Sequence, residues 1–373
     1  MQEADIRPTR VEVDLGALGR NLAAIQRHVG PSRVMPILKA NAYGHGIVEV
    51  GRHLDGVGVD ALGVAYLEEG EALRDAGVRA PILVMSGVVG RQVPRFLAAD
   101  LAITVPSVSK LAHVQQVASD LGTKARVHLK FDTGMGRLGQ SHRTADQLLD
   151  ATLDAPDVVV EGIYSHFATS DEADRTLTEA QIERFNRILD WFDRRGLPGP
   201  TRHLANSGGI LGYPEAHLDM VRPGLLLYGA YPSKEAPRTV EVEPALRWLS
   251  QVVYFKVVRQ GDTVSYGATW EAPEDTRVVT LPVGYGDGYA RAHSNRAEVL
   301  VGGARKPVVG RVCMDHVMVD LGPDGTAYNG DDVVLLGSDG SDGITVEEVA
   351  ESAGTVPWEV FTSISPRVPR VYV

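Results

Sequence analysis

Between residues 34 and 221 the chain alternates short, β-branched apolar runs with longer stretches of helical period. Eight runs read as strands: VMPIL (34–38), ALGVA (61–65), PILVM (81–85), LAITV (101–105), ARVHLKF (125–131), VVVEGIYS (158–165), TRHLA (201–205) and LDMV (218–221). Between them lie amphipathic stretches such as YLEEGEALRDAG, SVSKLAHVQQVASDLG and TLTEAQIERFNRILDWFDRRG. In the last of these, Ile182, Phe185, Ile188, Leu189 and Phe192 fall on one helical face. The final gap, SGGILGYPEAH, leaves room only for a short helix. Eight strands, each followed by a crossover, is the count of an eight-stranded β/α (TIM-type) barrel, with a doubly wound open sheet as the competing arrangement. GVGVDA at 56–61 has the glycines of a dinucleotide fingerprint but precedes a strand instead of following one, so it reads as a turn.

Past residue 240 the texture changes. Short strands now follow one another without intervening helices: WLSQVVYFKVV, RVVTLPVG, AEVLVGG, KPVVGRV, VMVDL and DDVVLLG. Gly, Asp, Pro and Asn turn signals separate them, as in an antiparallel β domain. TVEEVAESAG (345–354) is one helix within it, with Thr345 and Glu348 spaced as a capping box. The break falls in YPSKEAPRTVEVEP (231–244), so the expected domains are a barrel over 1–240 and a predominantly antiparallel β domain over 241–373. A length of 373 residues suits two domains.

A net charge of −11, with no long cluster of Lys and Arg, argues against a nucleic-acid binder. No apolar stretch approaches membrane-spanning length, and the opening MQEADIRPTR lacks a secretory pattern. The single Cys313 excludes an intrachain disulfide framework and suits a reducing compartment, so a cytoplasmic protein is expected. No His and carboxylate spacing makes a metal site, and SDGSDG (338–343) lacks the ligand order of a calcium loop.

A barrel carries its chemistry at the carboxyl ends of its strands. That rule gathers Lys39 and Tyr43 after strand one, and Lys130, Asp132 and Arg137 at and after strand five. His166 closes strand six, Asn206 and Ser207 strand seven, and Arg222 with Gly224 strand eight. ANSGG (205–209) and RPGLLLYG (222–229) supply small residues and backbone N–H groups where barrels commonly hold phosphate. A phosphate site beside an isolated strand-end lysine suggests pyridoxal phosphate, whose aldehyde would form a Schiff base with that amine. Each residue also has an ordinary explanation. Taken alone, Lys39 reads as a solvated strand-end lysine, Tyr43 as loop packing, and Arg137 as the ion-pair partner of Asp132. His166 reads as a hydrogen-bonded core histidine, Ser207 as a helix cap, and Arg222 as a cap for a loop carbonyl. Six such coincidences at one barrel face favour function.

These residues lie in motifs that closely resemble bacterial alanine racemase, a pyridoxal-phosphate enzyme with a β/α barrel and a C-terminal β domain. The resemblance covers essentially the whole chain and rests on LKANAYGHG (38–46), KFDTGMGRLG (130–139), GIYSHFATSDE (162–172), LANSGG (204–209) and MVRPGLLLYG (220–229). TVSYGATW (263–270), LPVGYGDGYAR (281–291) and GRVCMDHVMVDL (310–321) continue it through the second domain.

The resemblance implies a homodimer that interconverts L- and D-alanine and supplies D-alanine for peptidoglycan. It makes Lys39 the cofactor lysine and one catalytic base, and Tyr266 the second base, donated by the other subunit. It gives Arg137 the substrate carboxylate and the cofactor's phenolic oxygen, and sets Arg222 against the pyridine nitrogen with His166 beside it. Tyr43, Asn206, Ser207 and Gly224 would hold the phosphate, and Met314 would lend its backbone amide to the substrate. Lys130 stands where some members carry a carbamylated lysine, and Asp171, Tyr285, Arg291 and Arg311 match residues of the access corridor. Two bases on opposite faces of a planar intermediate suit racemisation. A free phenol ionises near pH ~10, so the second base needs help, for which Arg222 through His166 is the candidate relay.

One departure stands out. Many members carry a phosphate-binding tyrosine just before the final RVPR, where this chain has Pro366 in SISPRVPR. One phosphate contact should therefore be missing and the entrance wider. The alternatives are a racemase of broader specificity, such as for serine, and a decarboxylase of the same architecture. A decarboxylase would want a carboxylate at the ring nitrogen, which Arg222 disfavours.

Overall fold

The computed structural model describes residues 7–373 and divides them into two units. One comprises residues 19–42 and 47–243; the other comprises residues 7–18, 43–46 and 244–373.

All eight expected strands form in the first unit: β1 (Arg33–Val34), β2 (Leu62–Val64), β3 (Ile82–Val84), β4 (Ala102–Val105), β5 (Ala125–Asp132), β6 (Val158–Tyr164), β7 (Thr201–His203) and β8 (Met220–Val221). They pair in parallel in the order β1-β8-β7-β6-β5-β4-β3-β2. The ring closes where Leu38 N donates to Gly63 O at 2.7 Å and Gly63 N to Pro36 O at 2.8 Å. This is the barrel, and the open sheet is excluded. Alternation along β5 puts Val127, Leu129 and Phe131 on one face and His128, Lys130 and Asp132 on the other. A register shift between Val127 and His128 marks a bulge there.

The helix Thr176–Arg195 buries Ile182, Phe185 and Ile188 and leaves Leu189 and Phe192 half-buried. It stops at Gly196, whose φ of 62° is the left-handed conformation that glycine supplies at helix ends. Of GVGVDA, Gly56 and Val57 end the helix Ile47–Val57, and the expected turn begins at Gly58, with φ 89°.

The second unit is mostly antiparallel β. The strand Leu246–Gln251 pairs with Asp332–Asp339, and Thr276–Leu281 runs between Tyr254–Val258 and Val317–Gly322. The expected helix spans Val346–Ala353, with Thr345 and Glu348 completing the capping box. A second helix, Pro357–Ser363, was not anticipated.

The amino-terminal residues depart from the barrel expected over 1–240. Val11 and Val13 of the strand Arg10–Val13 are fully buried, antiparallel to Leu246–Gln251 and parallel to Arg370–Tyr372. A strand this short buries its valines only by joining a sheet, and the partners lie at the far end of the chain. Among the described residues no helix is long and apolar enough to cross a membrane. Nor is any group of three His, Cys, Asp or Glu side chains placed to hold a metal.

Candidate active site

The chain leaves β1 through Lys39 into an unusual segment. Ala40, Asn41, Ala42 and Tyr43 have φ values of 54°, 56°, 53° and 52°, a left-handed helical turn built without glycine. Such a conformation costs roughly 1–2 kcal/mol for each L-residue, so neighbours must hold it. Glu69 Oε1 accepts from Ala40 N at 2.6 Å, Asn41 Oδ1 accepts from Ile47 N at 2.9 Å, and Ala42 N donates to Leu38 O at 2.8 Å. Strain of this kind concentrates at functional positions. Tyr43, at the end of the turn, is buried, and burial raises its phenol pKa so that it stays a donor.

Four cations share the mouth above β5, β6 and β8. Burial, then Arg222, Arg137 and Lys39, bring the Lys130 pKa down to about 7, with Asp132 opposing. Lys130 is buried, 4.9 Å above the centre of the Tyr164 ring. Its surroundings and then Arg137 lower the Lys39 pKa, with Glu69 opposing. The Lys39 side chain still reaches solvent, which screens that effect. Arg137 is exposed and makes no ion pair among the described residues. The pairing with Asp132 does not form, because Asp132 Oδ1 accepts from Gly134 N and Gly136 N instead. So dense a positive field calls for an anion.

Arg222 is 2% exposed. It does cap loop carbonyls, donating through Nη2 to Ser165 O at 2.7 Å and Leu204 O at 2.9 Å. It also reaches His203 Nδ1 at 3.1 Å and His166 Nδ1 at 3.4 Å. Among the described residues its Nε, buried, has no acceptor. Burial brings its pKa down to about 10, which leaves it charged at neutrality. Burial, then Arg222, Lys130, Arg137 and Lys39, hold the His166 pKa well below its ordinary value, so this imidazole is neutral.

The helix cap expected of Ser207 belongs to Asn206, whose Oδ1 accepts from Gly209 N and from Ser170 Oγ. Ser207 Oγ accepts from Gly224 N at 3.1 Å and Leu226 N at 3.2 Å, which leaves its own hydrogen to donate. Gly208 is required here, since a Cβ would lie 2.9 Å from the Ser170 backbone. Asp171 follows β6, half-buried, its carboxyl pushed up by burial and by Glu235.

The second unit carries its own constellation. Tyr266 is 72% exposed and sits on a turn where Ser265 has φ 69° and Gly267 φ 73°. Ser265 Oγ donates to Arg311 O at 2.6 Å, and Arg311 lies 3.0 Å from where a Gly267 Cβ would stand. Val258, Val264, Val278, Val309 and Met318 form a small core, against which Trp270 and Cys313 pack. Tyr285 N donates to Cys313 O at 3.0 Å and Gly286 N to Met314 O at 2.9 Å. Among the described residues the Met314 N–H has no acceptor. Ser294 Oγ links Arg291 O to Val312 N. Pro366 is exposed at the second position of the β-turn closed by Val368 N donating to Ser365 O.

Lys39, Lys130, Arg137, His166, Asn206, Ser207, Arg222 and Gly224 thus gather at one barrel mouth, and Tyr266, Tyr285, Arg291, Arg311 and Met314 at one part of the β unit. Sequence reading missed Glu69 and His203. His203 had a signal, a polar side chain at an inward position of a barrel strand.

Residues 13–232 match the family model described as alanine racemase, N-terminal domain, and residues 245–372 match alanine racemase, C-terminal domain. The chain belongs to the alanine racemase family. Members of this family are amino-acid isomerases. The chain is 41% identical over 371 residues to alanine racemase 2 of Caldanaerobacter subterraneus subsp. tengcongensis, covering 99% of this chain and 96% of that one. The alanine racemase structure from D-cycloserine-producing Streptomyces lavendulae aligns at a TM-score of 0.94 and 35% identity, over 98% of this chain and 97% of that one. A Bartonella henselae alanine racemase with covalently bound pyridoxal phosphate aligns at 0.89 and 26% identity, over 98% and 99%.

Proposed function

We propose that this chain interconverts L- and D-alanine with pyridoxal 5'-phosphate, as a homodimer in which each site takes Tyr266 from the other subunit. The observation that carries the reading is the Arg222 Nε–H, a buried donor without an acceptor among the described residues, in a crowd of basic groups. A neutral pyridine nitrogen is a fitting acceptor for it. The cation field, the Ser207 hydroxyl and the Tyr43 phenol suit a phosphate, with Asn206 and Gly224 shaping its cradle. The Lys39 amine suits an aldehyde. When bound, the cofactor captures the amino group of alanine and draws electrons from its α-carbon.

The chain's residues supply the rest. Lys39 Nζ takes the α-proton from one face, and the Tyr266 hydroxyl returns a proton to the other, so the configuration inverts. The exposure of Tyr266 in a single chain fits donation to a partner. Arg137, free of ion pairs, holds the alanine carboxylate together with the Met314 N–H. Lys130, with its pKa near neutrality, is suited to carbamylation, which would set an anion among the cations. Asp171, Tyr285, Arg291 and Arg311 line the access corridor. D-Alanine formed in this way suits peptidoglycan synthesis, and the lone Cys313 suits a reducing cytoplasm.

Purified protein supplied with pyridoxal phosphate and L-alanine should yield D-alanine by chiral chromatography. Borohydride reduction should fix the cofactor on the peptide containing Lys39. Cofactor loading without any D-alanine would reject the reading.

A further inference from the structure

Glu69 spends one carboxylate on two separate segments. Its Oε2 accepts from Ala65 N at 2.7 Å and Tyr66 N at 3.1 Å, which caps the helix Leu67–Asp75. Its Oε1 accepts from Ala40 N at 2.6 Å, the first amide after Lys39. The second contact is not needed by the helix. It falls on the first residue of the left-handed turn, the point at which a backbone leaving β1 would otherwise relax toward an ordinary conformation.

We propose that Glu69 is a positioning residue for Lys39, a clasp that holds the Ala40 amide and so fixes the direction in which the lysine leaves β1. The proposal rests on the reading of Lys39 as a catalytic base. Charge-assisted bonds to backbone N–H groups are among the stronger hydrogen bonds. A carboxylate has the acceptors to hold both segments at once, whereas an amide has one oxygen. Near-attack geometry is sensitive on this scale, since a displacement of about 1 Å can cost on the order of 100-fold in rate.

Glutamine separates the two duties. Gln and Glu serve equally at the third position of a capping box, so Glu69→Gln keeps the cap. It then turns an NH2 group toward the Ala40 N–H, donor against donor. Glu69→Ala loses both contacts. In Glu69→Gln the melting temperature should stay within about 2 °C of wild type. Amide exchange at Ala40 should rise at least about tenfold in protein without substrate. The kcat for alanine should fall about 10- to 100-fold, with KM changed less than about threefold. In Glu69→Ala the melting temperature should fall as well.

Wild-type exchange at Ala40 in Glu69→Gln would overturn the clasp. Faster exchange with wild-type kcat would overturn its role in positioning Lys39, as would a melting temperature lowered as far as in Glu69→Ala. Exchange is read without turnover, so a chain that failed to racemise alanine would still report on the clasp.

Discussion

Arg222 Nη1 donates to His203 Nδ1 at 3.1 Å, and that bond fixes the state of a second histidine. Arginine has no acceptor, so the His203 proton must sit on Nε2. It is donated to His128 Nδ1 at 2.8 Å, which leaves His128 protonated on Nε2. The Tyr164 ring stacks on His203 at 4.7 Å, and its hydroxyl meets Thr104 Oγ1 at 2.7 Å. The Arg222 charge is thereby oriented from inside the barrel by neutral groups.

Acid stability follows from this. Burial, then the cations Arg126, Arg222 and Arg33, bring the His128 pKa down to about 3. Burial, then Arg222, keep His203 well below its ordinary value. An unfolded imidazole takes up its proton near pH ~6.5, so between there and the folded value the unfolded chain holds more protons. Stability is therefore full above that pH and is lost as the pH falls toward about 3 for His128. Unfolding free energy by urea should drop from pH 7.5 to 5, with roughly 2 kcal/mol of the drop due to His128. His128→Gln should show a drop smaller by about that amount; an equal drop would refute the account.

The proposed sharing of sites between two subunits gives a second prediction. Lys39→Ala and Tyr266→Phe homodimers should each lose nearly all racemase activity. Dissociated and reassociated together, they form hybrids with one site that has both bases intact. Recovery of roughly a quarter of wild-type activity is expected from random pairing. No recovery, with hybrids demonstrated by mass spectrometry, would mean that both bases come from one chain.

Pro366 gives a third. If position 366 meets the cofactor phosphate as the family resemblance implies, a tyrosine there would add one hydrogen bond, a net gain of about 0.5–1.5 kcal/mol. Pro366→Tyr should therefore slow cofactor loss on dialysis about 2- to 10-fold. Indistinguishable loss would remove Pro366 as an influence on cofactor retention.

The barrel was legible because each of its strands is a compact apolar run closed by turn residues, from which the strand ends and their polar residues follow. The strand Arg10–Val13 was not, because its partners lie across most of the chain and no local pattern names them. The turn after Lys39 was hidden more deeply. Ala-Asn-Ala-Tyr carries no glycine, and its left-handed form is imposed by Glu69 and Asn41 through contacts that propensity does not register. The cap at Asn206 was missed by one position, since serine and asparagine cap with similar strength. Arg222 was recognised as a residue, but its unpartnered Nε emerged only once the other nitrogens were accounted for.

Lys130 gives the last prediction. With a pKa of about 7, brought down by burial and by Arg222, Arg137 and Lys39, it is largely an uncharged amine at pH 8. An uncharged amine can attack carbon dioxide. Nζ forms a bond to the carbon, one proton leaves to solvent, and a carboxylate remains on the nitrogen. The product turns a neutral amine into an anion facing Arg137, Arg222 and Lys39, which favours it electrostatically. Protein equilibrated at pH 8 with 13C-labelled bicarbonate should give a carbamate resonance. The resonance should weaken as the pH falls below about 7, where the amine protonates. It should vanish in Lys130→Arg, which keeps a positive charge but has no amine able to react. The same signal in Lys130→Arg and wild type would assign the modification to another lysine.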